Sequence, residues 1–168
     1  LMTTRLAGNA THFLPFNRGD GGGAGNPSDP QGRSYRTAYL WEEVLARHSL
    51  LDLLARFLRL QIDEKRDEQG RKVSREQMVF PRYHQLQAVR SLVAAAKAEG
   101  PGHNYLVEHS AGSGKSNTIA WLTHRLASLH DDSNQRVFDS VIVITDRVVL
   151  DQQLQDNIYQ FEHKQGVV

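Results

Sequence analysis

Apolar positions return with helical spacing in four stretches of this chain and form continuous runs in two others. From Tyr39 to about Arg59, Leu40, Val44, Leu51, Leu54 and Leu58 recur at intervals of three, four and seven, with Trp41, Leu45 and Phe57 beside them. Glu42, Glu43, Arg47 and Arg56 fall mainly off that stripe, so the pattern predicts one core-packing helix without chemistry of its own. A second helix is expected from Arg82 to about Lys97, with Leu86, Val89, Val93 and Ala96 as its apolar stripe. Pro81 precedes it and Gly100-Pro101-Gly102 ends it. A third helix runs from Lys115 to about Leu129, its buried face marked by Ile119, Leu122 and Leu126. A fourth follows residue 146, with Leu150, Leu154, Ile158 and Phe161 on one face. The run Tyr105-Leu106-Val107 reads as a short strand, and Val141-Ile142-Val143-Ile144 as a strand covered on both faces. Strand, helix, strand in that order implies a right-handed crossover and a parallel sheet.

The remaining stretches are polar. Residues from about Pro15 to Arg36 are rich in Gly, Pro, Asn, Asp and Ser and read as loop, including Gly21-Gly22-Gly23-Ala24-Gly25-Asn26-Pro27. Gln61 to Phe80 is strongly charged, and two arms around Glu68-Gln69-Gly70 predict a hairpin. Asp63-Glu64-Lys65 within it has the acid-x-lysine form of a nuclease metal site. That chemistry also needs an earlier carboxylate on a neighbouring strand, whereas Asp52, the nearest, lies in the first expected helix, so a solvated charged face is the better reading.

Composition narrows little. Lys and Arg number 20 and Asp and Glu 19, a net charge of +1, which neither demands nor excludes nucleic acid. There is no cysteine, so neither a disulfide framework nor a thiolate metal site is possible, which suits a reducing cytoplasm. No apolar run approaches the roughly 20 residues of a membrane span. No signal peptide is visible, and the chain, opening on Leu1 before Met2 and closing on Gly166-Val167-Val168, reads as a fragment. The length suits about one domain.

The chemistry concentrates in His109-Ser110-Ala111-Gly112-Ser113-Gly114-Lys115-Ser116, between an expected strand and an expected helix. Glycines let backbone N–H groups crowd around a polyphosphate, and the following helix turns its positive end to the same anion. Gly112, Ser113 and Gly114 would cradle the phosphates, Lys115 would reach the outer ones, and the Ser116 hydroxyl would ligate Mg²⁺. The expected ligand is a nucleotide triphosphate with Mg²⁺. The general pattern has a glycine where this chain has His109. Gln85, some thirty residues upstream, has an amide that can donate to and accept from one edge of adenine. Asp146 ends the second apolar run, where three roles are open: acidic Mg²⁺ partner, helix cap, or start of a DNA-facing loop. Arg147, at the carboxyl end of a parallel strand, favours the last through a backbone phosphate. The histidines, His103, His109, His124 and His130 among them, lack the paired spacing of a metal site.

These residues resemble a known family. Ser110 to Ser116 looks like motif I of superfamily 2 helicases and translocases, where the first glycine of the general loop is often missing. Gln85, in Arg-Tyr-His-Gln-x-x-Ala, is similar to their adenine-reading glutamine, and Asp146-Arg147-x-x-Leu150-Asp151-x-Gln153 to their DNA-contacting motif Ia. The spacing from Arg147 to Leu150 and Gln153 resembles that of the restriction (R) subunit of type I restriction enzymes. Phe13-Leu14-Pro15-Phe16-Asn17-Arg18-Gly19, Gly23-Ala24-Gly25-Asn26-Pro27 and Tyr39-Leu40-Trp41-Glu42-Glu43-Val44-Leu45 resemble the stretch joining nuclease and motor in that subunit.

The resemblance implies an α/β fold. Residues 1–80 would form a loop, helix and hairpin connector, and residues 81–168 the incomplete start of a RecA-like parallel-sheet ATP-binding lobe. It implies an ATP-dependent DNA translocase and endonuclease acting on double-stranded DNA, with methyltransferase (M) and specificity (S) subunits as partners, in the cytoplasm and without a membrane. Lys115 would be catalytic; Gln85, Gly112, Ser113, Gly114, Lys115 and Ser116 would bind nucleotide; Arg147 and Gln153 would contact DNA. No Asp-Glu-x-His motif, second lobe or complete nuclease motif is recognisable, so the 168 residues alone are expected to be inactive. The rivals are another superfamily 2 motor such as a type III restriction or repair helicase, a phosphate-loop enzyme such as a small-molecule kinase, and an interaction module of a larger complex.

Overall fold

The computed structural model describes residues 1–66 except 22, 24 and 30, residues 69–145, and Leu154, Gln155 and Ile158; the side chains of 63–66 and 75 lie outside the description. The chain divides into two compact units, Leu1–Tyr83 and His84–Val168.

In the first unit the expected single helix is two pieces. A π-helical turn covers Leu40–Val44, with Leu45 N–H bonded to the Leu40 carbonyl at 2.7 Å. Ala46 then adopts φ −55°, ψ 143°, outside the helical region, and helix α1 restarts over Arg47–Arg56. The break resets the helical phase, and this corrects the predicted stripe. Leu53 and Phe57, one turn apart, are 1% and 0% exposed, whereas Leu51 and Leu54 are half exposed. The helix also ends before Arg59, where strand β1 (Arg59–Arg66) begins. It pairs antiparallel with β2 (Lys72–Val79), from Arg59 opposite Val79 to Arg66 opposite Lys72, as the expected hairpin requires.

The polar N-terminal segment is tied down by aromatic contacts rather than by regular structure. Phe16 meets Phe80 at 5.9 Å and the edge of Tyr83 at 5.7 Å, and Tyr39 meets Tyr83 edge-on at 5.2 Å. The Tyr39 hydroxyl donates to the Phe16 carbonyl, and burial is the main cause that pushes the phenol above its ordinary range. The Arg18 guanidinium lies 5.7 Å and 5.9 Å from the Tyr39 and Tyr83 ring centres and bonds Glu43 at 3.1 Å.

In the second unit helix α2 (Tyr83–Glu99, its first residue still in the first unit) matches expectation: Leu86, Val89, Val93 and Ala96 are all buried. Helix α3 (Lys115–Ala127) forms where predicted but buries a different face. Thr118, Ala120 and Trp121 are inside, while Ile119 is 38% exposed and Leu122 and Leu126 are half-buried. The Asp131 carboxylate accepts the Ser133 and Gln135 N–H groups at 2.9 and 2.8 Å and sets the following turn. Lys97 bonds Asp132 at 2.6 Å, which holds that carboxyl below the usual range.

The expected strands at 105–107 and 141–144 are a further correction, because neither is a strand among the described residues. Leu106, Ile142 and Ile144 are 93%, 82% and 89% exposed. A parallel strand exists only through neighbours that satisfy its backbone groups, and the one sheet among the described residues is the β1–β2 pair. What is established is therefore mixed helix and small antiparallel sheet, compatible with the α/β class. The fourth expected helix lies mostly outside the described residues, though Leu154 is buried.

The reset phase of α1 is testable. Leu53→Ala and Phe57→Ala should each cost about 2–5 kcal/mol in urea denaturation, as cavities in a core do. Leu54→Ala should stay within about 0.5 kcal/mol of the parent chain; a Leu54 loss equal to that of Leu53 would restore the uninterrupted stripe.

Candidate functional site

Helix α3 begins at Lys115, and its N-cap, Gly114, has φ 84° and ψ 35° with no side-chain cap bond. The first N–H groups of a helix have no acceptor one turn earlier, and they carry the positive end of the helix dipole. Gly112 also has positive φ, 71°. Between these two glycines sits Ser113, 7% exposed, whose Oγ has no hydrogen-bond partner among the described residues. A buried hydroxyl without a partner carries a free-energy cost that an arriving acceptor would relieve. Lys115, by contrast, is turned back on its own loop: Nζ donates to the His109 and Ser110 carbonyls, at 3.0 Å each. Ser116 is the second residue of α3 and half-buried.

Two side chains at the start of α2 hold the loop from behind. Gln85 is 3% exposed, and its Nε2 donates to the Gly114 carbonyl at 2.8 Å and the Ser113 carbonyl at 3.3 Å. His84 Nε2 lies 3.1 Å from the same Ser113 carbonyl. The approach is close enough that a Cβ on Gly114 would sit 2.5 Å from Gln85 Nε2. His84 also meets the His109 ring, with centres 4.8 Å apart and planes at 82°. Burial first, then His84 and the Lys115 ammonium, push the His109 imidazole below its ordinary range, so it is neutral at pH 7.

The structure thus brings Gln85, Gly112, Ser113, Gly114, Lys115 and Ser116 together. The donor types fit an anion: a buried hydroxyl between two left-handed glycines, a helix N-terminus and a lysine ammonium. Arg147, Gln153 and Asp146 lie outside the described residues, as do the side chains of Asp63, Glu64 and Lys65. Among the described residues no group of three or more His, Asp or Glu could hold a metal ion, and no helix is long and apolar enough to cross a membrane. A separate cleft of about 160 Å³ in the first unit mixes Arg18 and Arg36 with Glu42 and Glu43, and so favours no one ligand charge. His84 is the residue that the sequence did not single out. The available signal was its place next to Gln85, at the start of a helix preceding a glycine loop.

The family model described as SWI2/SNF2 ATPase matches residues 84–167, half of the chain, starting at the first residue of the second unit. No curated protein and no solved structure matches the chain.

Contact between Gln85 and Gly114 makes their substitutions interdependent. Gly114→Ala combines a left-handed alanine, about 1–2 kcal/mol, with displacement of the Gln85 amide, about 1–3 kcal/mol. In a Gln85→Ala background only the first part remains, so the Gly114→Ala loss in thermal or urea unfolding should shrink by about half. Equal losses in both backgrounds would rule out the contact.

Proposed function

The chain belongs to the SWI2/SNF2 ATPase family, and from that premise we propose that the loop from His109 to Ser116 is the ATP–Mg²⁺ site of a DNA-translocating motor. The observation that carries the reading is the loop itself. The Ser113 hydroxyl is buried, with no hydrogen-bond partner among the described residues, between two left-handed glycines, at the N-terminus of α3 and within reach of one lysine. In this reading Lys115 leaves the His109 and Ser110 carbonyls for the outer phosphates, a charge-assisted contact stronger than the neutral-acceptor bonds it gives up. Ser116 would hold Mg²⁺, and the ion would supply charge neutralisation on the phosphates. Gln85 would hold the loop through the Ser113 and Gly114 carbonyls, and to read adenine, as its place in the sequence suggests, its amide would have to leave them.

The finer assignment is the R subunit of a type I restriction enzyme, acting on double-stranded DNA beside methyltransferase and specificity subunits. It is supported by the form of Asp146-Arg147-x-x-Leu150-Asp151-x-Gln153 and by the connector sequences before residue 46. Arg147 and Gln153 would then meet the DNA backbone. The two unpaired apolar segments, 105–107 and 141–144, would be strands of a parallel RecA-like sheet completed by further strands. Their exposure supports this, because apolar runs of this kind are normally covered. An endonuclease would be a separate part of such a subunit.

Lys115→Ala removes the cation of the loop, and a charge-assisted contact is worth about 1.5–3 kcal/mol. ATP affinity should fall by at least about tenfold with the melting temperature unchanged, read by titration and circular dichroism; undiminished affinity would sink the assignment.

Phosphoryl transfer also needs an acidic Mg²⁺ partner and an arginine from a second lobe, and no Asp-Glu-x-His motif occurs in the 168 residues. The purified chain should therefore bind ATP weakly, release no phosphate with or without DNA, and leave plasmid DNA unnicked in Mg²⁺. DNA-stimulated phosphate release lost in both Lys115→Ala and Asp146→Ala would instead identify a self-contained NTPase with Asp146 as metal ligand.

A further inference from the structure

One ring touches both ends of the loop. His84 Nε2 lies 3.1 Å from the carbonyl of Ser113, near the loop's end, and the same ring meets the ring of His109, at its start. A carbonyl only accepts, so Nε2 must carry the proton, which fixes the His84 tautomer. The edge-to-face arrangement at 4.8 Å is within the favourable range for aromatic pairs. The His109 carbonyl in turn takes a hydrogen bond from Lys115 Nζ at 3.0 Å. His84 therefore connects, through one side chain, the N-terminal end of the loop, the buried Ser113 and the residue on whose carbonyl the lysine rests.

We propose that His84 is a positioning residue for nucleotide binding: through the Ser113 carbonyl and the His109 ring it fixes the two ends of the phosphate loop relative to each other. The proposal rests on the reading of this loop as a nucleotide site. It gives His109 a role that glycine could not fill, since glycine offers no ring for His84 to meet. A loop held at both ends loses less conformational entropy when a polyphosphate arrives, so the holding is expressed as affinity.

The test is ATP titration of the 168-residue chain followed by NMR shifts, which reads millimolar affinities, with circular dichroism melts alongside. His84→Ala should weaken ATP binding about five- to tenfold while the melting temperature changes little. His84→Gln, which places an N–H at comparable reach, should recover most of the loss. His109→Ala should weaken binding too, and the double variant should be no weaker than His84→Ala to within about twofold. Nitrogen-15 shifts of the His84 ring should report the Nε2–H tautomer. Three results overturn the proposal: unchanged affinity in His84→Ala while Lys115→Ala loses it, losses in the two histidine variants that multiply independently, or an Nδ1–H tautomer at His84. The tautomer is measured on the unsubstituted chain, so it decides even if His84→Ala fails to fold. Undiminished affinity in Lys115→Ala would remove the nucleotide site itself, and the role of His84 with it.

Discussion

A peptide group cannot aim its N–H inward without sending its C=O the opposite way. A loop that gathers N–H groups around an anion therefore turns carbonyls back into the protein, where each needs a donor. In this chain, besides the Thr118 hydroxyl and the backbone N–H groups of Ser113, Asn117 and Thr118, three side chains donate to the loop carbonyls. Gln85 serves the Ser113 and Gly114 carbonyls, His84 shares Ser113, and Lys115 serves His109 and Ser110. Two of the three sit on adjacent residues at the start of α2, so the orientation of that helix and the shape of the loop are one problem. Leu86 and Val89, one and four residues after Gln85 in the same helix, are buried and anchor it.

The same constraint explains why Lys115 rests where it does. An ammonium beside a helix N-terminus is disfavoured by the dipole, and nearby carbonyls offset this. Its two partners lie at the opposite end of the loop from Gly114, so the lysine spans the ring of residues that a phosphate would enter. In the proposed function ATP competes with these two carbonyls for the lysine, and part of the binding energy is used to replace them.

How much of this was legible in the sequence varied with how local the deciding physics is. The stripe of α2 and the β1–β2 hairpin were legible, because periodicity and turn residues decide them within a few positions. The break at Ala46 was not: a π-helical turn keeps the apolar residues helical in appearance while shifting their phase, so Leu53 and Phe57 took the places expected of Leu51 and Leu54. On α3 the small residues Thr118 and Ala120 were buried beside Trp121, a face that a count of large apolar residues does not find. The apolar runs at 105–107 and 141–144 predicted parallel strands, and neither is a strand among the described residues, since strand formation depends on partners distant in the chain. Of the site, the glycines, Lys115 and Gln85 were legible from spacing. The contact of Gln85 and His84 with the loop carbonyls was not, because it depends on how two separated segments are brought together.

His109 shows where a motif's letters and its physics part. Read as a pattern, it replaces a glycine and looks like a defect. Glycine is needed for its own sake only where φ is positive or where a Cβ would collide. Gly112 and Gly114 meet the first condition, and Gly114 meets both. Among the described residues Asn134 is the sole non-glycine with positive φ, so His109 sits in ordinary backbone and its side chain is free of that strain. What the position supplies to the loop is a carbonyl for Lys115, which any residue provides. The first glycine of the general pattern is therefore dispensable here on conformational grounds. Once a side chain is allowed at that position, a ring can use the space beside His84, which a glycine would leave empty.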